Sequence, residues 1–437
     1  MRDGLDPMGA TFPFLTSYDP PGTSEGTLDP LGLYQIADQL AVQLVPAVRE
    51  RMQRIRFLTA MAVGALLTEG MDDGPQLRDA SPYLVWEWLV VEALVRSASE
   101  DSSIWGVPGT LVTRRALDQH SYVDARSYLK TPRIFGFHGV YKRLATRLGL
   151  VDVHLRPGPH AEALVDAWAR GLDIGGFDAA KPTLDRWKTA VRRSLAEKPP
   201  RTKAGWGNEG WDELARAFAP SACRVRERRF LRGLLHAGDD RQLGALPTIW
   251  QLQAEFEDEE FREEPLHDRL EKREPAYGRL LEAIRAYEAF ARRMQDAFDT
   301  LRAEAAPLDA HGFAVPEIAR NADFGRSVAS LHERFETAHH ALNEVAITNV
   351  SLQNLFGERF GAFAEPLDAG ACAVALCAHH EAIQKAKGDK RPWFDRISHD
   401  RIYIRHAYRE PRRDIQPGRY VHDYRGWPIR RFYFDLT

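Results

Sequence analysis

The stretch from His379 to Phe394 holds the densest group of side chains that could do chemistry. It reads HHEAIQKAKGDKRPWF and contains two histidines, two carboxylates, an amide, four cations and a tryptophan. His380, Gln384 and Lys387 follow the spacing of one helical face, so an imidazole, an amide and an ammonium group are expected side by side. The pattern predicts a helix whose last turns carry hydrogen-bond donors.

A short loop is expected after this helix, because Gly388 is a typical helix stop and Pro392 follows it closely. The loop carries Lys390, Arg391 and Trp393. Cations beside a flat aromatic ring are typical of phosphate and base recognition. A solvated helix end beside a packed tryptophan has the same composition, so both interpretations stay open.

Glu87 is an unusual carboxylate, because it lies between Trp86 and Trp88 in the most apolar predicted helix, SPYLVWEWLVVEALVR. Burying an unpaired carboxylate is costly. Three interpretations are open: a pair with an arginine such as Arg54 or Arg56, a position on the solvent face, or a carboxyl with a raised pKa that does chemistry.

Several catalytic motifs are absent from the sequence. It contains no GxxxxGK[ST] loop, no GxGxxG after a strand, no HExxH, no paired CxxC, no EF-hand loop and no GxSxG. Cys372, Cys377, His379 and His380 cannot all face one point from a single helix, so they do not predict a zinc site. We therefore expect neither a metal nor another cofactor.

Hydrolysis of an N-glycosidic bond in DNA remains open to an enzyme that lacks these motifs. This reaction requires a carboxylate to stabilise an oxocarbenium-like charge, a group that orients water, and an aromatic pocket for an extruded base. The candidate catalytic residues are Asp29, Glu87, His380 and Glu381.

A second group of cations lies on YLKTPRIFGFHGVYKRLATRLGLVD, where the spacing of Phe137, Tyr141, Leu144 and Leu148 predicts a helix that ends at Gly149. VHLRPG then reads as a short strand, which together with the helix is typical of a helix-turn-helix unit with a small wing. Winged helices also dock proteins, so DNA contact is one of two interpretations. The expected DNA-binding residues here are Lys130, Arg133, His138, Lys142 and Arg143.

The sequence RERMQRIRFLTAMAVGALL predicts another helix, with a cationic first half and a buried second half. Gln53, Arg54 and Arg56 lie at the transition between the halves. Arginines in this position either line a DNA-binding cleft or extend along the edge of a domain.

The C-terminal region is basic and aromatic. From His379 onward it has 14 Lys and Arg against 8 Asp and Glu, whereas the whole chain has a net charge of −3. RIYIRHAYR and GRYVHDYRGWPIRRFYFDL both read as β-type runs. Such a region suits DNA binding, and the expected contacts are Gln384, Lys387, Lys390, Arg391, Trp393, Arg405, His422, Tyr424 and Arg425.

The fold class expected from these patterns is mainly α and multidomain. Apolar stripes from Ile284 to Leu301 and from Val328 to Val345 predict a helical hairpin in the core. The predicted segments are 1–172, helical with a winged-helix-like unit; 173–247, a helical linker region; 248–365, the hairpin domain; and 366–437, a basic, aromatic segment with a small β-rich part.

Composition places the chain among globular proteins, with 44% hydrophobic and 28% charged residues. Three cysteines give no disulfide framework, which favours a reducing compartment. The sequence has neither an apolar run that would span a membrane nor a pattern typical of a signal peptide. We expect a cytoplasmic protein with no membrane partner.

Part of the N-terminal region, GTLDPLGLYQIAD with the later RMQRIRF, resembles the opening of uncharacterised bacterial proteins encoded in phage-defence neighbourhoods. In those proteins a Gly-Thr-x-[Asp/Glu]-x-Leu-Gly segment leads to an Arg-x-Arg-[Tyr/Phe] helix. The resemblance covers a small part of the chain and assigns no catalytic residue. It implies antiviral defence acting on invading DNA, with modified bases as a reasonable target. The matching positions are Gly26, Thr27, Asp29, Leu31, Gly32, Arg54, Arg56 and Phe57.

These observations favour a DNA-binding antiphage protein, with metal-independent DNA glycosylase activity as the leading hypothesis. One alternative is a non-enzymatic recognition or adaptor subunit that delivers partner defence proteins to DNA. The other is a winged-helix transcriptional regulator, which is disfavoured because a long sequence without a sensor motif follows the winged-helix-like segment.

Overall fold

The computed structural model describes residues 29–71, 80–98, 104, 106–172, 175–221, 223–237, 243–256, 260–307, 311–345, 351–388, 390–409 and 419–437. Within these residues the protein is mainly helical and has one small antiparallel sheet, which confirms the predicted helical class. No helix in the described ranges is long and apolar enough to cross a membrane.

The α-helices follow one another along the chain with short connections. In chain order they are α1 (Tyr34–Leu44), α2 (Phe57–Thr68), α3 (Pro82–Ser97), α4 (Thr110–His120), α5 (Pro132–Phe135), α6 (Phe137–Arg147), α7 (Ala161–Gly171), α8 (Phe177–Ala196), α9 (Asn208–Phe218), α10 (Val225–Ala237), α11 (Leu246–Leu252), α12 (Glu263–Arg273), α13 (Gly278–Glu304), α14 (Ala322–Val328), α15 (Leu331–Asn343), α16 (Leu352–Phe360), α17 (Ala369–Ala386) and α18 (Gly426–Leu436). The strands are β1 (Phe313–Ala314), β2 (Phe394–Ser398) and β3 (Arg401–Ile404).

The chain divides into two compact units. Unit 1 contains the described residues up to Leu40 together with those of Ala276–His422, and unit 2 contains those of Ala41–Pro275 and Asp423–Thr437. Each unit is therefore built from two separate stretches of sequence. The finer division into four segments and the winged-helix-like unit remain predictions.

Unit 2 is organised around α2, whose sequence FLTAMAVGALLT has no polar face. A helix that is apolar on all sides is stable only when it is surrounded, and α2 packs against α3, α6, α7 and α8. The α3 helix begins at a capping residue, since Ser81 Oγ accepts a hydrogen bond from the Leu84 amide and Pro82 occupies the first turn.

The predicted helix over 49–67 is wrong in its first half, because α2 begins only at Phe57. The hydroxyl oxygen of Tyr141 accepts hydrogen bonds from the amides of both Gln53 and Arg54 at 2.8 Å. The Asp435 carboxylate accepts one from the Ile55 amide at 3.2 Å. Side chains distant in sequence therefore bind the amides that a longer helix would have used internally.

The α6 helix agrees with the sequence prediction, and its apolar stripe is buried. It ends at Arg147, and Gly149 just beyond it adopts the left-handed conformation with φ +66°. The following segment forms a tight turn closed by a single antiparallel bridge between Val151 and Pro157. This bridge takes the place of the predicted short strand.

Unit 1 contains the two predicted stripes on α13 and α15, which pack against each other. Their apolar residues are buried, and Phe290, Phe335, Phe356 and Phe360 form an aromatic cluster. The connection between α13 and α15 contains β1 and α14 rather than a simple loop.

The sheet of unit 1 has the strand order β1-β3-β2, with antiparallel pairing throughout. Ile402 and Ile404 are buried on β3, which confirms the alternation predicted for RIYIRHAYR. The second predicted β-type run is wrong, because its last eleven residues form α18. Ile429, Phe432 and Leu436 follow helical spacing and are buried, and this period outweighs the β preference of the aromatic residues.

Candidate functional site

The polar face of α17 holds the segment from Asp29 to Leu31 within unit 1. His379 Nε2 lies 2.8 Å from the Leu31 carbonyl oxygen, and His380 Nδ1 lies 2.8 Å from that of Pro30. Gln384 donates to the Pro30 carbonyl at 3.4 Å, while Lys387 donates to the backbone carbonyl of Asp29. The predicted face of α17 therefore exists, but its donors bind backbone carbonyls of this segment.

His380 is fully buried and binds on both sides of its ring. The Trp393 amide donates to Nε2 at 2.9 Å, so Nε2 carries the lone pair and Nδ1–H donates to the Pro30 carbonyl. Burial lowers the pKa of His380 to about 4, and the neighbouring His379 and Lys387 act in the same direction. The imidazole is therefore neutral at physiological pH and joins two backbone segments.

Asp29 lies just before α1 and binds backbone amides at its start. Its carboxylate accepts from the Leu33 amide at 2.8 Å and from the Tyr34 amide at 3.3 Å, which satisfies amides near the helix N-terminus. Lys387 Nζ is also 3.3 Å from Asp29 Oδ2. Asp29 and His380 thus contact the same short stretch of backbone and its neighbours.

The other C-terminal candidates of unit 1 also have partners within that unit. Glu381 accepts a bidentate pair of hydrogen bonds from Arg396, at 2.8 Å for each nitrogen. Arg405 pairs with Asp395 at 2.7 Å. Arg391 is exposed, and the Lys390 amide donates to the Gln384 carbonyl at 3.0 Å.

Trp393, expected to stack on a base, already has aromatic neighbours. Its ring stacks on Tyr408 with a centroid distance of 4.7 Å and an interplanar angle of 3°. It also contacts Phe298 and His380. The tryptophan is half-buried and belongs to the packing around β2.

His422 lies against α13 at the end of unit 1. Its Nδ1 is 2.7 Å from Glu288 Oε1, and Glu288 also accepts from the Val421 amide at 2.5 Å. Burial alone would lower the pKa of His422, but the Glu288 carboxylate and its hydrogen bond raise the pKa overall. This pair fixes the chain at the point where it leaves unit 1.

Glu87 of unit 2 is fully buried and lies at the N-terminus of α6. It accepts from the amides of Phe137 and His138 at 3.2 and 3.1 Å, and from the Tyr128 hydroxyl at 2.8 Å. His138 Nδ1 lies 2.5 Å from its second oxygen. A Cβ on Gly136 would lie 2.0 Å from Glu87 Oε1, so this approach requires glycine.

This geometry answers the three interpretations of Glu87. The carboxylate is neither exposed nor paired with Arg54 or Arg56; it caps a helix and binds a histidine and a tyrosine. The pKa of Tyr128 is raised well above its usual value by burial and then by the Glu87 charge, so Tyr128 stays protonated as a donor.

A cavity of about 720 Å³ lies beside this network. Leu84 and Trp88, which flank Glu87 on α3, line it together with Tyr128. A neighbouring cavity of about 560 Å³ shares several residues with it. No aspartate or glutamate of the described ranges lines the first cavity, whereas three cations do: Arg126, Lys130 and Arg133.

The remaining predicted residues of unit 2 are mostly engaged in packing. Arg56 is 1% exposed, lies 3.4 Å from Glu227 and donates to the Ala217 carbonyl. Arg54 pairs with Asp435 at 2.7 Å. Arg425 is buried and donates to the carbonyls of Val45 and Val48.

Four further residues complete the predicted set in unit 2. Tyr424 is fully buried. Gln53 is half-buried, and its backbone amide donates to the Tyr141 hydroxyl oxygen. Lys142 is half-buried, and Arg143 is exposed with a 3.4 Å hydrogen bond to the Pro46 carbonyl. These residues do not line the cavity beside Trp88.

The structure therefore brings the candidates together in two separate networks. Asp29, His380, Gln384 and Lys387 belong to unit 1, with Glu381 on the same helix as His380, whereas Glu87, His138, Lys130 and Arg133 belong to unit 2. The four candidate catalytic residues thus fall in different units, three in unit 1 and one in unit 2. The basic region around Lys130 lies in unit 2, whereas the C-terminal basic region begins in unit 1 and passes into unit 2 after His422.

Sequence reasoning missed Tyr128 and Arg126, which connect the Glu87 network with the cavity. Both lie in the turn-rich stretch VDARSYLK, where neither a helical nor a strand period marks a buried position. Comparisons with family models, curated proteins and solved structures find no match for this chain.

Proposed function

We propose that this protein binds DNA through the cationic cavity of unit 2 and acts as a recognition component. The observation that carries the proposal is the lining of that cavity, where Arg126, Lys130 and Arg133 are exposed and have no carboxylate at ion-pair distance among the described residues. Cations without acidic partners suit phosphate contact, because they neutralise the DNA backbone and release its counterions.

Apolar side chains beside these cations support DNA over a simple anion. Ile134 is 50% exposed and lines the same cavity, as does the half-buried Leu129. A surface that offers both cations and apolar contacts suits a ligand with phosphates and flat bases. The resemblance of the N-terminal segment to phage-defence proteins supports placing this binding in antiviral defence.

Recognition without catalysis is favoured by the state of the candidate catalytic residues. Both oxygens of Glu87 accept hydrogen bonds within the protein, and its side chain is fully buried. His380 uses both ring nitrogens on backbone groups. A group that stabilises charge on a substrate must contact that substrate, and neither residue is placed to do so.

Base excision is a second candidate because of one specific contact. Tyr128 lines the cavity, and its hydroxyl donates a hydrogen bond to the Glu87 carboxylate. Glu87 is therefore linked to the cavity through Tyr128. A glycosylase would need this network to open toward an extruded base.

The proposal is tested by replacing Arg126, Lys130 and Arg133 together with alanine. Because each phosphate contact contributes about one to the slope of log K against log salt concentration, the variant should lower that slope by about three and weaken binding by at least about tenfold. Fluorescence anisotropy with a labelled DNA duplex and single strand measures both quantities.

A matched control removes three exposed arginines that do not line the cavity, Arg192, Arg320 and Arg334. This control changes the net charge by the same amount, so it should leave the affinity within about twofold and the salt slope nearly unchanged. An equal loss in both variants would contradict a specific site, and no DNA binding by the unaltered protein would overturn the proposal.

A further inference from the structure

We propose that the cavity beside Trp88 receives one unpaired nucleotide, with its base against the apolar wall and its phosphate against Arg126, Lys130 and Arg133. This inference rests on the proposed DNA binding and specifies the form of DNA that is bound. It also gives Trp88 and Ile134 a role that the phosphate contacts alone do not require.

The first argument is size and lining. Pockets that enclose small ligands span roughly 300–1,000 Å³, and this cavity of about 720 Å³ lies in that range. Its lining combines four apolar side chains, Leu84, Trp88, Leu129 and Ile134, with three cations. A nucleotide likewise combines a flat, largely apolar base with a charged phosphate.

The second argument is an unsatisfied donor. The indole N–H of Trp88 is buried and has no hydrogen-bond partner among the described residues, whereas Trp86 on the same helix donates to the Ala60 carbonyl at 2.9 Å. A buried donor without a partner destabilises the folded protein, and such groups call for an explanation. A carbonyl oxygen or ring nitrogen of a base is a suitable acceptor for such a donor.

The third argument concerns the state of the DNA. A base inside a duplex is stacked and paired, so its face and its pairing edge are not available to a protein cavity. A cavity that is lined by apolar side chains and cations therefore fits a base that has left the stack. The expected ligand is single-stranded DNA or an unpaired position in a duplex.

The arrangement of Tyr128 supports this geometry. Its hydroxyl is committed to Glu87, and Glu87 caps α6, so this wall of the cavity is fixed before any ligand binds. A preformed wall lowers the entropy cost of binding a rigid, flat group.

The experiment compares three probes with the full-length protein: a single strand, a fully paired duplex, and the same duplex with one mispaired 2-aminopurine. The unaltered protein should bind the single strand and the mispaired duplex about tenfold more tightly than the paired duplex. The fluorescence of 2-aminopurine should rise on binding, because the base leaves the stack.

The variant Ile134→Trp fills the cavity from an exposed position, and Val153→Trp is its control, since Val153 is 62% exposed and does not line this cavity. Ile134→Trp should abolish the preference for unpaired DNA, whereas Val153→Trp should keep it. Trp88→Phe, which removes only the N–H and part of the ring, should weaken single-strand binding by about three- to tenfold.

The outcomes separate the two proposals. If Ile134→Trp retains the preference, or if the unaltered protein binds all three probes equally, the nucleotide site is wrong while the proposed DNA binding stands. If the unaltered protein binds none of the probes, both proposals are overturned. Circular dichroism of Ile134→Trp and Val153→Trp confirms that both variants are folded before the affinities are compared.

Discussion

A carboxylate can occupy an apolar helix when backbone amides and polar side chains meet its charge. Glu87 does so through two amides at the start of α6, the Tyr128 hydroxyl and His138. The helix dipole adds to these contacts, since its positive end faces the carboxylate. Glu87 therefore joins α3, α6 and the wall of the cavity into one structure.

Replacement of Glu87 by alanine should destabilise unit 2 strongly. The variant leaves the Phe137 and His138 amides and the Tyr128 hydroxyl without acceptors, and we expect a loss of about 3–4 kcal/mol in the free energy of unfolding. Urea denaturation followed by tryptophan fluorescence measures this loss.

The control for this prediction is Glu162→Ala, because Glu162 is an exposed acid in the first turn of α7. Its removal should cost no more than about 0.5 kcal/mol. If the two variants are equally stable, the capping role of Glu87 is wrong.

For Glu87, the sequence predicts that the carboxylate needs partners but does not identify them. The flanking tryptophans correctly indicate that Glu87 is exceptional, and the cost of burial correctly favours a partnered carboxylate. The identity of the partners is not encoded nearby, because Tyr128 and His138 lie 41 and 51 residues away. An arginine was a reasonable expectation, but backbone amides at a helix N-terminus serve equally well.

At the scale of elements, α17 acts as a clamp on the segment from Asp29 to Leu31. Its histidines, Gln384 and Lys387 all bind carbonyls of this segment. Because the Trp393 amide donates to His380, the same residue also fixes the chain that leads into β2. The polar side chains of α17 thus fix the backbone of the segment from Asp29 to Leu31 and of Trp393.

This clamp should weaken in mild acid. The folded pKa of His380, about 4, lies below the unfolded value of 6.5, so the folded state binds fewer protons between these values. Its contribution to stability is therefore complete above pH 6.5 and falls as the pH drops toward 4, with a loss of about 2 kcal/mol at pH 5.

The direct measurement is an NMR titration of the His380 ring in the intact protein. The ring resonance should change with a midpoint near pH 4, and the Trp393 amide should lose its hydrogen bond in the same range. Exposed His311 provides an internal comparison. A midpoint for His380 near 6.5 would rule out the described pairing.

Element prediction succeeded where one period dominated and failed where two signals competed. The α3 helix is predictable from its long apolar run, and α6 is predictable from the helical spacing of its apolar residues. The start of α2 was misplaced because Tyr141 and Asp435 bind its preceding amides from distant positions. The α18 helix was read as strand because its aromatic residues favour strands locally, whereas its burial follows a helical period.

At the scale of the whole molecule, both units are discontinuous in sequence. The chain leaves unit 1 after Leu40, returns at Ala276 and leaves again after His422. No local composition marks these points: α1 continues through the first of them without a break. Composition indicates loops rather than the pairing of distant segments, so it could not predict this discontinuity.

The intact protein should leave DNA bases attached. When plain and base-modified phage DNA are incubated with it in EDTA and then treated with alkali, we expect no new strand breaks, because Glu87 and His380 are both occupied by internal hydrogen bonds. Gel electrophoresis before and after the alkali step detects any base loss.

Breaks that appear only after alkali, and that disappear in Glu87→Gln, would establish base excision instead. The Gln variant keeps the size of the side chain and is the appropriate comparison for this purpose. Breaks without alkali would indicate cleavage of the DNA backbone and contradict both candidate functions.

The division of unit 2 into Ala41–Pro275 and Asp423–Thr437 has a consequence for synthesis on the ribosome. Arg54 and the carbonyls of Val45 and Val48 can pair with Asp435 and Arg425 only after residues 423–437 have emerged from the ribosome. Until then, the Arg54 side chain and the two carbonyls are hydrated, because their partners have not yet been translated. Premature termination shortly before Asp423 would therefore leave unit 2 without residues 423–437, although its residues 41–275 had already been translated.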